Sequence, residues 1–452
     1  MHPVEFTADK ESPFAGDRLN RGPHVEALCR VLCGVDGHAV VSLDAPWGAG
    51  KTAFVKMCAA HLRSEGVRVV EFNAWQRGHT GNPLLDLVAA VSDQIGESKT
   101  AQLRKTGANV AWHLANVGSR GLVDRDAFRG DEPEILADWN QAEEESAKFA
   151  ERLEAVASAD EGPLVVLIDE LDRCRPPYAL SLLETVRHLF AADGVMVVLA
   201  VNRAELRHSV KSVYGPKFDA DWYLRRFADL HISLPPPDEQ SLSAFLDGLL
   251  ESSGLSARFT TSSNSYSPLM LKLLAESPGR SLRDLEQAVH LAVVALASLA
   301  PSDQSYLSRS LVWEHAAVAL IVFRALDEAA YQNLAHNGGD GFAAVAAFDK
   351  ALGLEPDPQD GIRASDRIRE QIEAFLISGS SDDPFFSDSE KEEFLERYTS
   401  AIGCLPSRAE RVFNACKQNS EITGGARPQI KLIADLIDLV RYTPIQSDED
   451  TD

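Results

Sequence analysis

The stretch DAPWGAGKTAFV, Asp44 to Val55, limits the fold more than any other part of the chain. Before it, HAVVSLDA is an apolar run of β type. After it, TAFVKMCAAHLRSEG has helical periodicity and stops at Gly66. A glycine loop between a strand and a helix start points several backbone N–H groups at one spot. Those donors and the helix dipole favour an anion there. The sequence therefore predicts a phosphate site built from Pro46, Trp47, Gly48, Ala49, Gly50, Lys51, Thr52 and Ala53. Gly48 and Gly50 let the backbone close around phosphates, Lys51 reaches the β- and γ-phosphates, and Thr52 ligates Mg2+. The rival reading is a glycine turn before a helix with a chance Gly-Lys-Thr. The usual spacing G-x-x-x-x-G-K-[ST] places its first glycine at position 45, where this chain has Ala45. With negative φ an alanine is tolerated there. With positive φ the strain is about 1–2 kcal/mol, which weakens the site without abolishing it.

The second half of the expected site lies at the end of PLVVLIDELD, where Asp169 and Glu170 close an apolar strand. Two carboxylates in such a place need a purpose, because burying them unpaired is costly. Asp169 suits Mg2+, held directly or through water, and Glu170 suits the base that polarises an attacking water. VRVVEFNAW, GVMVVLAVN and ADLHISLP read as three further strands, and ALSLLETVRHLF as a helix with an apolar stripe. Near-continuous Val/Ile/Leu runs alternating with helices predict an α/β fold with a doubly wound, mostly parallel sheet. Asn202, closing the fourth strand, is a candidate to contact the γ-phosphate or the water, or else a plain turn residue. Arg173, Arg225 and Arg226 are candidates to neutralise charge in phosphoryl transfer, or else salt-bridge residues. Arg280 and Arg283, in SPGRSLRDLEQ, open a helix of a second domain. They either reach back to the nucleotide or pair at the surface.

Domain limits follow from composition. Residues 1–235 form the α/β domain, with a helical insertion at about 83–162. PPPDEQ, Pro235 to Gln240, breaks regular structure. Residues 236–440 read as a helical lid or partner-binding domain, and 441–452 as an acidic disordered tail. Within the insertion, basic residues from Lys99 to Arg129 are spread loosely. EILADWNQAEEESAKFAERLEAVA then reads as a long helix with Ile135, Trp139, Phe149, Leu153 and Val156 on one stripe. It either covers the sheet or presents a partner surface. Ser387 with Glu390 makes a capping box. The formal charge of -24, from 68 acidic and 44 basic residues, repels nucleic acid and anionic lipid and disfavours a dedicated DNA binder. The six cysteines form no C-x-x-C pair, and Cys29 and Cys33 lack a well-spaced ligand set. They read as reduced, buried thiols, which with the absence of an apolar signal core predicts a cytoplasmic protein. The most apolar runs, Ala288 to Ala300 and Ala316 to Phe323, fall short of the roughly 18 residues a membrane span needs.

Taken together, PWGAGKT, VVEFNAWQ, VVLIDELDRCRPP, VLAVNRAEL and YLRRFADLHISLP make the chain resemble the KAP family of P-loop NTPases over roughly residues 15–300. The resemblance implies an ATPase using ATP and Mg2+, with an added strand between the phosphate-loop strand and the acidic strand. It implies the roles given above for Lys51, Thr52, Asp169 and Glu170. Ala45 and Asn202 depart from it, since the family usually has glycine and commonly Asp there. Many members carry transmembrane helices inside the ATPase domain. Residues 83–162 are too polar to span, so the chain is similar to the soluble bacterial branch, often associated with phage defence. The expectation is a nucleotide-driven switch or assembly platform in an anti-phage complex, with a protein partner, and with a homo-oligomer as a further option. A nucleic-acid loader or motor is the less favoured alternative. A binding-only module is the third, and Glu170 argues against it.

Overall fold

The computed structural model describes residues 6–78, 80–122, 132–159, 162–256, 267–277, 279–298, 307–337, 339–352, 364–380, 389–402, 406–423 and 430–439. Arg125, Arg129, Ser387 and the tail lie outside these residues, as do the side chains of Ile135 and Trp139. The chain divides into two compact units, Met1–Pro236 and Pro237–Asp452. Among the described residues, no helix is long and apolar enough to cross a membrane.

The first unit runs α1 (Gly22–Gly34), β1 (Ala39–Asp44), α2 (Lys51–Ser64), β2 (Arg68–Asn73), α3 (Ala74–Arg77), α4 (Pro83–Ile95), α5 (Glu97–Leu122) and α6 (Glu132–Ala157). It continues with β3 (Leu164–Asp169), α7 (Pro176–Leu189), β4 (Val195–Val201), α8 (Arg203–Tyr214), α9 (Ala220–Leu224) and β5 (Leu230–Ser233). All five strands are parallel, in the order β2-β3-β4-β1-β5. β4 thus lies between the phosphate-loop strand and the acidic strand, as the family resemblance implies. Both faces of the sheet are buried because successive side chains point opposite ways and are apolar on both sides. Val165, Leu167, Val198 and Ala200 pack with α1 and α2 on one face. Val166, Ile168, Val197 and Leu199 pack with α4 to α8 on the other. In the insertion, Phe149, Leu153 and Val156 of α6 join Leu84, Leu87 and Val91 of α4 in that second core. The insertion's apolar stripe therefore covers the sheet.

The register brings polar residues to one end of the sheet. Asp44 pairs with Val201, whose successor is Asn202, and Asn73 pairs with Asp169. Short connections start new helices there. Asp44 Oδ1 accepts from the Arg203 N–H at 2.9 Å, and the Leu234 N–H donates to the Asp44 carbonyl at 2.9 Å.

The described part of the second unit is helical. Its core holds a buried ionic cluster joining four helices, Gly341–Leu352, Ala364–Ser380, Lys391–Ile402 and Pro406–Thr423. Arg369 Nε donates to Asp349 at 2.7 Å, and Arg408 bonds both Asp349 and Glu373. Tyr398 donates to Glu373. The paired carboxylates and guanidiniums offset one another's burial, and their directionality fixes the helix register. Helix Ile430–Leu439 is held through Asp438, 2.9 Å from Arg324 and 2.7 Å from His336. Cys29, Cys58, Cys174 and Cys416 are buried free thiols, whereas Cys33, expected to be buried, is exposed near the end of α1. No group of His, Cys, Asp or Glu among the described residues is arranged to hold a metal by itself.

Candidate nucleotide site

The loop from Ala45 to Gly50 leaves β1 and enters α2 with Gly48 at φ 75° and Gly50 at φ 84°. Both lie in the left-handed region, where a side chain costs about 1–2 kcal/mol. Ala45 does not share this conformation. Among the described residues only Asn20 and Glu170 are non-glycines with positive φ. Ala45 is 3% exposed and belongs to the buried core that also holds Phe54 and Val55 of α2. The missing first glycine therefore carries no backbone strain.

Lys51 opens α2 and is buried at 9% exposure. Its Nζ donates to the Ala45 carbonyl at 2.6 Å and to the Pro46 carbonyl at 3.1 Å. Burial lowers its pKa, and the negative charges of Asp172, Asp169 and Asp44 oppose that effect. The ammonium is thus held against the loop's own carbonyls, a short reach from where phosphates would sit.

Thr52, the second residue of α2, lies near enough to Asp169 for its hydroxyl to favour the charged carboxylate. Asp169 is 7% exposed, and burial raises its pKa against the Thr52 hydroxyl and the bond from the Glu170 N–H. A hydroxyl and a carboxylate are hard oxygen donors, which fits Mg2+. Glu170 adopts φ 59°, ψ 26° and begins the 3-10 turn Leu171–Arg173. A left-handed glutamate is uncommon, and such outliers gather at functional sites. The Glu170 N–H donates to Asp169 Oδ1 at 2.8 Å. Its carboxylate is gripped on both sides, by Asn73 Nδ2 at 3.0 Å and by Arg173 Nη1 at 3.1 Å.

The other candidates fall as follows. Asn202 is buried, and its Oδ1 accepts from the Ala204 N–H at 3.1 Å, capping α8. Arg173 binds Glu170, so it belongs to the site as a partner of the acid. Arg225 and Arg226 form a 3-10 turn after α9 and are exposed. The Arg226 guanidinium stacks 4.0 Å over the Trp222 ring. Arg280 lies in the second unit and donates to the Ala325 carbonyl at 2.5 Å. Trp47 is 46% exposed and its indole N–H donates to Asp172.

Sequence reasoning singled out neither Asn73 nor Asp172. Both stand inside quoted motifs, FNAW and DELDR, so the signal was a polar residue directly at or after the end of an apolar strand.

The KAP family P-loop domain matches residues 21–294 of the chain. No curated protein matches the sequence. Two solved structures align over most of the chain at low similarity. The ORC2 protein of Aeropyrum pernix, in ADPNP-ADP complexes, is 15% identical with a TM-score of 0.35, covering 89% of this chain and 95% of its own. A DNA replication initiation factor is 10% identical with a TM-score of 0.31, covering 91% and 98%. At these scores neither bears on what this chain binds.

Proposed function

This chain belongs to the KAP family of P-loop NTPases, and from that premise we propose that it binds and hydrolyses ATP to drive a switch or assembly platform in a bacterial anti-phage complex. One observation carries the nucleotide part of the reading. Lys51 and Thr52 open α2 while Asp169 ends β3 with Glu170 directly after it, and Asp169 feels both the Thr52 hydroxyl and the Lys51 ammonium. Phosphate donors, a metal-ligand pair and a base are thereby gathered at one end of a parallel sheet, where ligands of such folds bind.

Each side chain has a task in this reading. Lys51 exchanges its loop carbonyls for the β- and γ-phosphates. Backbone N–H groups at Gly48 to Thr52 take phosphate oxygens. Thr52 and Asp169 are the residues that would hold Mg2+, which when bound neutralises charge developing on the phosphates. Glu170 accepts a proton from the attacking water at a lone pair that Asn73 and Arg173 leave open. Arg173, beside it, stabilises negative charge. Asn202 retains its amide Nδ2 for a γ-phosphate contact. Arg225, Arg226 and Arg280 are kept as arginines that answer to nucleotide state.

The platform part rests on the composition of the chain. The second unit is helical in its described part, and no metal-holding group of His, Cys, Asp or Glu is found among its described residues. The partner expected is one or two proteins. The acidic balance disfavours nucleic acid. The test has two steps. Purified chain is assayed for Mg2+-dependent ATP turnover, and no turnover above background sinks the enzymatic reading. The Glu170→Gln variant is then captured from its host with ATP present. Specific proteins at fixed ratio support the platform; nuclease-sensitive nucleic acid alone favours a loader.

A further inference from the structure

Asp172 has no task in the scheme above, yet its surroundings ask for one. It is 8% exposed and sits on the turn that follows Asp169 and Glu170 directly. One oxygen, Oδ2, accepts from the Trp47 indole N–H. The other, Oδ1, is buried and has no hydrogen-bond partner among the described residues. Of the three acids acting on Lys51, Asp172 acts most strongly, ahead of Asp169 and Asp44. A buried carboxylate that is only half satisfied destabilises the fold. Placing one beside the phosphate loop therefore needs a compensating role.

Trp47 shows what the role is. It stands midway between Ala45 and Gly50 with its ring 46% exposed, so packing holds it only in part. The two glycines beyond it leave this loop with more backbone freedom than any other residue type would. The indole bond is the one side-chain tie from this part of the loop to the acidic turn among the described residues. It links residues 125 apart in sequence.

We propose that Asp172 is a positioning residue that, through Trp47, holds the phosphate loop at a set distance from Glu170. Nucleotide then meets a loop already in register with the group that acts on water. The inference rests on the nucleotide reading of this site.

The test uses the full chain and four variants: Trp47→Phe, Asp172→Ala, the double variant and Asp172→Asn. Two quantities are measured, equilibrium binding of a fluorescent ATP analogue with Mg2+ and turnover at saturating ATP. Trp47→Phe and Asp172→Ala should each weaken binding about tenfold, the size of one hydrogen bond to a charged group, and should lower saturated turnover as well. The double variant should be no worse than the worse single one. Asp172→Asn keeps an acceptor for the indole and should stay within about threefold of the parent, since only the charge assistance is lost. A pair that merely stabilises the fold would move the melting temperature and leave both quantities alone. Additive losses in the double variant, or parental behaviour of Trp47→Phe, overturn the clamp. If Asp172→Ala does not fold, Trp47→Phe and Asp172→Asn decide between the same two results. A parent that binds no nucleotide overturns the site reading and the clamp with it. A parent that binds, with a parental Trp47→Phe variant, overturns the clamp alone.

Discussion

Asn73 Nδ2 lies 3.0 Å from Glu170 Oε2, joining the end of β2 to the residue that follows β3. Arg173 holds the other oxygen of the same carboxylate at 3.1 Å. Both oxygens of the proposed base are therefore engaged, and each keeps a second acceptor position for water. Asn73 can serve here because its Oδ1 separately caps α3 through the Gln76 N–H at 3.0 Å, which fixes the direction of the amide.

Replacing Glu170 by Gln should leave ATP binding near parental and slow hydrolysis at least about tenfold, within the general-base range of roughly 10²–10⁴. The amide keeps the size of the side chain and one acceptor for Arg173. Wild-type turnover in this variant, measured by phosphate release, would move the base elsewhere.

Lys51→Ala should abolish nucleotide binding or weaken it severely. The ammonium is the main positive charge in the loop, and in the folded protein only carbonyl oxygens compete for it. Calorimetric titration with ATP and Mg2+ checks this. Unchanged affinity would sink the assignment of the loop.

Restoring the usual first glycine should not improve the site. Ala45 has no positive φ to relieve, so Ala45→Gly should hold ATP affinity within about threefold and lose about 0.5–1 kcal/mol of stability through added chain entropy. Gly50→Ala should weaken ATP binding as well as lose stability, since φ 84° there strains any side chain by about 1–2 kcal/mol. Denaturant melts and binding titrations of the two variants, taken side by side, test the contrast. A clear gain in affinity from Ala45→Gly would show that the alanine does strain the loop.

The second unit should lose stability in acid through His315. This side chain is 6% exposed, and burial lowers its pKa from 6.5 to about 4. The unfolded chain therefore binds the proton more readily than the folded one. The stability from keeping His315 neutral is complete above pH 6.5 and is lost as pH falls towards 4, by up to about 3 kcal/mol. His315→Gln removes that titration. The stability difference between parent and variant should shrink over this window, and denaturant melts showing a constant difference would count against it.

The sequence alone determined what depends on neighbours along the chain. Strand and helix periods are local, so the five strands and the apolar stripe of Phe149, Leu153 and Val156 could be read directly, though not what the stripe faces. Gly48, Gly50, Lys51 and Thr52 announce a phosphate loop because backbone conformation and helix start are set within a few residues. Their family was legible for the same reason. What the sequence left open was every choice that depends on which strand ends lie side by side. Asn202 caps α8, Arg173 pairs with Glu170, and Arg226 stacks on Trp222 through local contacts, yet each of these residues had a rival role at the nucleotide. Asn73 meets Glu170 across 97 residues and Trp47 meets Asp172 across 125. Those pairings exist only once parallel register has brought β1, β2 and β3 to end at one edge. Burial then decides the chemistry there, because a carboxylate or an ammonium out of water must take the partner that the fold places within reach.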